Sequence, residues 1–257
     1  ELGLGARLAL AGGLLEQKAW AGRVEELTLR SAETGEWRLV RPAELALGAG
    51  VAVKPLCLAS GEARLCGAGS RAADGAWKAD LDLAQLPLAL AEPHLPKDIA
   101  VAGAVSLDAR ASGNASGALD ADAKLTLPGS RLTLPFGDQT KELDLSASRL
   151  QARVNGKGAG AELTLRLGDL ASAEGRVDLP GWSPVASDPV KQRLDAKLKG
   201  QVPDIAFVRA FAPDLGAISG EVTADLVAGG TLAAPKPAGQ VAFQGGRVEI
   251  PDAGLDI

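Results

Sequence analysis

Leu119-Asp120-Ala121-Asp122-Ala123-Lys124-Leu125-Thr126-Leu127 decides the fold. Successive side chains of a β-strand point to opposite faces, so this spacing sends every aliphatic group one way and every polar group the other. The same code returns at 77–83, 143–147, 163–167 and 248–250. A chain written this way predicts an all-β architecture with short helices, its sheet carrying one apolar face along nearly the whole length.

The chain of 257 residues has room for one large all-β domain or for two units of about 120 residues. Its apolar share is 46%, yet it holds only four Phe and four Trp, with no Tyr or Met. Aromatic rings normally bring the largest packets of buried area to a compact core. Their scarcity favours an extended, repetitive sheet lined by modest side chains. A net charge of −5, with both signs interspersed and no basic cluster, excludes a nucleic-acid partner. No run of about 18 apolar residues spans a bilayer, and no leader pattern opens the chain. The sequence stops at 251–257 within a strand pattern, so it reads as a piece of a longer protein.

The two cysteines lie in Leu56-Cys57-Leu58 and Arg64-Leu65-Cys66, with Ala59-Ser60-Gly61-Glu62 between them as a hairpin turn. That hairpin brings the sulfurs together, either as a Cys57–Cys66 disulfide, which implies an oxidising compartment, or as two buried thiols. One histidine and no further cysteine leave no zinc site.

Along the chain, a strand pattern slips at Glu25-Glu26. The alternation breaks at Leu86-Pro87-Leu88-Ala89-Leu90, where a short helix stopped by Pro93 is expected. Pro128-Gly129 makes a tight turn into the strand at 131–134. At Arg149-Leu150 the apolar parity switches to Leu150, Ala152 and Val154, the signature of a β-bulge. A further strand is expected at 193–198. A second helical segment follows Val202-Pro203, with Asp204 as its N-cap and Pro213 as its stop. Leu86-Pro87 and Val202-Pro203 then align as the starts of an internal repeat, each leading through a glycine, Gly103 or Gly220, into a strand. This divides the chain into trough strands with the cysteine hairpin (1–85), a repeat unit (86–201) and the start of the next repeat (202–257).

Catalysis finds little support. His94 stands alone on a connecting loop, and no Gly-x-Ser-x-Gly elbow occurs. The carboxylates fall on the polar phase of strands. Gly156-Lys157-Gly158-Ala159-Gly160 lacks the spacing of a phosphate loop and reads as a flexible hairpin. Asn114-Ala115-Ser116 fits a glycosylation sequon. No enzymatic activity, cofactor or metal is expected. A β-solenoid adhesin or carbohydrate-active enzyme would need aromatic platforms, which the composition lacks. Two readings of the apolar face stay open: a closed sandwich core, or a single sheet curled into a trough that holds an apolar ligand.

Gly229-Gly230-Thr231-Leu232-Ala233-Ala234-Pro235-Lys236-Pro237-Ala238-Gly239-Gln240-Val241-Ala242-Phe243, followed by Gly245-Gly246-Arg247-Val248-Glu249-Ile250-Pro251-Asp252-Ala253-Gly254, resembles a segment of the TamB family, which is related to AsmA-like proteins. The stretch from Trp37 to Leu88, with Cys57, Cys66 and Gly75-Ala76-Trp77, is similar too. The resemblance implies a periplasmic β-taco or repeating β-groove. It implies a parent anchored in the inner membrane outside this segment. It also implies that phospholipid acyl chains are carried toward the outer membrane, and that outer-membrane protein and autotransporter assembly involves the barrel partner TamA. The expected groove lining is Leu107, Leu119, Leu125, Leu127, Leu143, Leu145, Leu163, Leu165, Leu167, Val222, Leu226, Val241, Phe243, Val248 and Ile250. The rival expectation is a chaperone-like module that templates barrel assembly by β-augmentation at an exposed strand edge.

Overall fold

The structure, a computed structural model, describes residues 5–15, 19–136, 139–185, 188, 190–210, 218–250 and 255–256. Alternation produces strands almost everywhere. They are β1 (Gly5–Leu15), β2 (Ala19–Ser31), β3 (Gly35–Leu39), β4 (Ala43–Leu47), β5 (Val51–Ser60), β6 (Ala63–Arg71) and β7 (Trp77–Pro87). Then come β8 (Ala100–Ala102), β9 (Ala104–Gly113), β10 (Leu119–Thr126), β11 (Arg131–Phe136), β12 (Gln139–Asp144), β13 (Arg149–Asn155) and β14 (Gly158–Leu167). The series closes with β15 (Ala171–Pro180), β16 (Asp195–Val202), β17 (Ile218–Thr231), β18 (Ala234–Ile250) and β19 (Leu255–Asp256). Sixteen of these form one curled antiparallel sheet, and β8, β11 and β12 form a second, three-stranded one. Residues 86 and 202 lie within β7 and β16, which pair with β9 and β17 in the same large sheet.

Local irregularities have local causes. Ala9 pairs with Glu26 but Leu10 pairs with Val24, so Glu25 is the extra residue of a bulge at the expected slip. β3 and β4 both pair with β2 and with β5, and act as one strand interrupted at Pro42, which has no N–H to give to a ladder.

The second sheet is where the alternation misleads. β8–β9, β10–β11 and β12–β13 are each a strand pair bent at a corner, and their order is the same in both sheets. The parity switch at Arg149-Leu150 is therefore a corner between sheets, where β12 ends at Asp144, and not a bulge within one strand. The turn at Pro128-Gly129 likewise delivers the chain into the other sheet. Gly103 forms the first corner at φ 95°. A Cβ there would lie 2.6 Å from the carbonyl oxygen of Gly129, so the close approach requires glycine. Two buried serines brace the fold line. Ser130 Oγ accepts from the Ala104 N–H at 3.1 Å and donates to the Ala104 carbonyl at 2.9 Å. Ser148 Oγ does the same for Arg166, at 2.9 and 3.1 Å. These hydroxyls replace ladder bonds that the corners interrupt.

Both helical segments are 3-10 turns, Leu88–His94 and Ile205–Ala210. The first starts later than expected, because Leu86 still pairs with Val105 in the sheet, and Pro93 lies inside the turn. Asp204 caps the second by accepting from the Ala206 N–H at 2.9 Å; Pro213 lies outside the described residues. The strand expected at 193–198 is β16, which begins at Asp195, with Arg193 in an isolated bridge to Thr231.

Two clusters hold the fold. One packs Ile99, Leu134, Leu143 and Leu170, with Phe207 of the second 3-10 turn against them. The other packs Trp37, Leu58 and Ala63 among surrounding leucines. The rest of the sheet is open. The solvent-accessible surface is 16303 Å², against about 10,500 Å² for a compact monomer of this mass.

The corner generates a prediction. Gly61 has a positive φ of 57° with nothing within 4 Å of an added Cβ, so Gly61→Ala should cost only about 1 kcal/mol. Gly103→Ala adds the collision with Gly129 and Ser130 and should cost about 2–4 kcal/mol. Urea unfolding of both variants measures the difference.

Candidate functional site

The hydrogen-bonded register aligns one side chain from each successive strand. The row runs Leu39, Leu58, Leu65, Leu83, Leu107, Leu125, Leu150, Leu163, Gly175, Leu198, Leu226 and Gly239. At about 4.8 Å per strand, the path from Leu39 to Leu226 is about 48 Å long. Beside it runs a row made mostly of small groups: Gly67, Ala109, Ala123, Ala152, Ala161, Ala196 and Ala228, with Leu81 and Val177 among them. The apolar face is thus a leucine ridge next to an alanine floor.

Exposure changes along the ridge. Leu58 is 4% exposed beneath Trp37, whereas Leu150, Leu163 and Leu198 are 40, 40 and 41% exposed. The face is packed shut at the β3–β5 end and open from β13 onward. Gly175 leaves a gap between the two exposed neighbours Leu163 and Leu198, and a Cβ there would meet them at an ordinary 3.8 and 3.7 Å.

The expected lining residues distribute unevenly. Leu107, Leu125, Leu163 and Leu226 stand in the ridge. Leu165 and Val241 lie one row away, and Val222 and Phe243 pair with each other in the next. Leu119 sits at the hairpin rim opposite Gly113, and Leu127 follows the end of β10. Leu167 packs against the closed cluster. Leu143 and Leu145, at 1 and 8% exposed, are buried beside the small sheet, because the chain turns the corner before Arg149. The side chains of Val248 and Ile250 lie outside the described residues. Leu39, Leu58, Leu65, Leu83, Leu150 and Leu198 stand in the same row, an alignment that shows only once the strands are set in register.

The opposite face is charged and ordered. Asp80, Arg110, Asp122 and Arg153 stand directly across from one another on successive strands. Arg176 pairs with Asp178, holding that carboxyl below its usual range. Asp82 faces Asp108 across β7 and β9; desolvation first, then the hydrogen bond and repulsion of Asp108, raise the Asp82 carboxyl. On this face Cys57 and Cys66 oppose each other and are joined by a disulfide, with the ridge leucines Leu58 and Leu65 beside them on the other side. His94 is exposed in its 3-10 turn. Among the described residues no group of His, Cys, Asp and Glu could hold a metal, and no helix is long and apolar enough to cross a membrane. Asn114 spends its Oδ1 on the backbone N–H groups of Ser116 and Ala118, as a turn former.

The family model described as TamB, N-terminal domain, matches residues 3–243 of the chain. No curated protein and no solved structure matches it.

Two predictions separate the closed and open parts. Leu134→Ala should cost about 2–5 kcal/mol, while Leu163→Ala and Leu198→Ala should each cost less than about 1 kcal/mol in denaturant titrations. The raised Asp82 carboxyl binds its proton more tightly in the folded state, so its contribution to stability is lost as pH rises through its folded range. Asp82→Asn should therefore gain stability relative to the parent as pH rises across that range, measured by unfolding at a series of pH values.

Proposed function

Because the chain belongs to the TamB family, we propose that it forms one segment of a periplasmic gutter whose apolar face carries phospholipid acyl chains between the inner and outer membranes. The transport serves outer-membrane biogenesis, in a parent anchored in the inner membrane and working with a TamA-type barrel. The role is one of conduction and assembly, without chemistry on the cargo.

The observation that carries this reading is the leucine ridge, aligned strand by strand and left 40% exposed at Leu150 and Leu163. An acyl chain laid on such a face gains about 0.8 kcal/mol per buried methylene, so polar recognition is not needed to hold it. Charge on the opposite face keeps that side in water and directs the apolar cargo to one side.

Benzophenone side chains placed at Leu163 and Leu198, with Arg176 and Lys197 as opposite-face controls, test the reading in the full-length parent. Lipid adducts are expected at the two ridge positions. Adducts at the controls alone would overturn it. Leu150→Arg and Leu163→Arg should each reduce lipid transfer at least about tenfold while the unfolding midpoint stays near that of the parent.

A further inference from the structure

Followed strand by strand, the apolar phase of the large sheet carries one charged residue among its paired positions, Arg71. It follows Leu65, Gly67 and Gly69 at every second place of β6, so it stands on the ridge side of the sheet. The ladder sets it between Val51 of β5 and Trp77 of β7, at the hairpin rim. Leu47 and Trp20 continue the same row on β4 and β2. Arg110, Arg153 and Arg176 lie in the opposite phase, each across from a carboxylate.

Folding does not call for a cation at this place. Arg71 is exposed and forms no ion pair among the described residues. Asp74, the acid of the adjoining turn, accepts at Oδ1 from the Ala76 N–H at 2.9 Å. The Trp77 indole leans the other way, over Gly113, where an added Cβ would lie 2.7 Å from its Nε1. The guanidinium is therefore a fork of donors with no acceptor among the described residues, on a stem that crosses apolar surface. Such a fork matches the oxygens of a phosphate. It is also more weakly hydrated than an ammonium, which suits a site bordered by hydrocarbon.

Inward from Arg71 the strand leaves a furrow. Gly69 and Gly67 have no side chains, while Val53 and Leu56 flank them on β5, and Ala79 and Leu81 on β7. An added Cβ at Gly67 would meet nothing nearer than 3.9 Å, so no close backbone approach demands glycine there. Glycine inside a strand weakens it, and often marks a place where a ligand comes close. The furrow ends at Leu65, which packs against the sealed Trp37 cluster. From residue 65 to residue 71 the strand covers about 20 Å, against about 15 Å for the tails of one bilayer leaflet.

We propose that Arg71 is an anion anchor: it grips the phosphate of one phospholipid, whose chain lies in the furrow of β6, crosswise to the leucine ridge. Every group assigned to the lipid stands on one face of the sheet. The inference rests on the acyl-chain reading above and adds to it a selection by charge. A cationic amphiphile is repelled at this rim, and a neutral one is held by its tail alone.

The test uses the full-length parent carrying benzophenone at Val51 or at Leu163. It is reconstituted in vesicles of phosphatidylglycerol with a minor share of diacylglycerol bearing the same chains. Adducts at Val51, corrected for the abundance of each lipid, should favour phosphatidylglycerol about fivefold. Arg71→Leu should remove that preference and leave phosphatidylglycerol adducts at Leu163 unchanged. Gly67→Leu should lower adducts of both lipids at Val51 at least about threefold, with the unfolding midpoint near that of the parent. Glycerol phosphate in excess, which has the anion without a tail, should leave the adducts unchanged. Displacement by it would mark a site for free phosphate and overturn the assignment to a lipid. No preference in the parent, or an undiminished one in Arg71→Leu, with lipid still captured at Leu163, overturns the anchor and leaves the gutter standing. Unchanged adducts in Gly67→Leu overturn the path along β6. No lipid at either position overturns the anchor and the gutter together.

Discussion

Cross-strand register is the constraint on which the rest of this molecule depends. A shift of one residue in any strand would move its leucine from the ridge to the charged face. The register is pinned by interlocking devices. Directly opposed charges such as Asp80, Arg110, Asp122 and Arg153 favour one pairing and penalise its neighbours. The Cys57–Cys66 bond fixes the hairpin on which the ridge begins. The bulge at Glu25 absorbs a residue that would otherwise put every side chain beyond it out of phase. The polar face is thus more than a solvated back: its charge pattern keeps the other face in line.

Stability is concentrated in two places. The cluster around Leu134 and Leu143 closes the corner region, and Trp37 over Leu58 closes the N-terminal end. Elsewhere the sheet holds together by ladder hydrogen bonds and same-face contacts, with half-buried side chains that a compact domain would have covered. One sealed cluster closes the face at the N-terminal strands and the other closes the corners beside β9, β10 and β13, while the ridge from β13 onward stays open.

The strands were legible in the sequence because period-two alternation is a local property. So were the slip at Glu25 and the cap at Asp204, each of which depends on neighbours within a few residues. Membership of a sheet was not legible. Leu143 and Leu163 obey the same code, yet one is sealed and the other open, since alternation says which way a side chain points but not which strand lies beside it. The corners could be suspected at Gly103 and Pro128-Gly129, but the switch at Arg149 looks the same whether a strand bulges or leaves its sheet. For the same reason the alignment of Leu65, Leu83, Leu150 and Leu198 was invisible until the partners were known.

The repetition of one residue type along the ridge has a kinetic corollary. A hydrocarbon sliding along this row would meet the same methyl groups again after each strand spacing of about 4.8 Å, a period that does not match the spacing of its own methylenes. On the proposed reading, favourable and unfavourable overlaps would average out along its length, and the uniformity that gives a core poor specificity would give a low-friction track whose chief point of corrugation is the gap at Gly175.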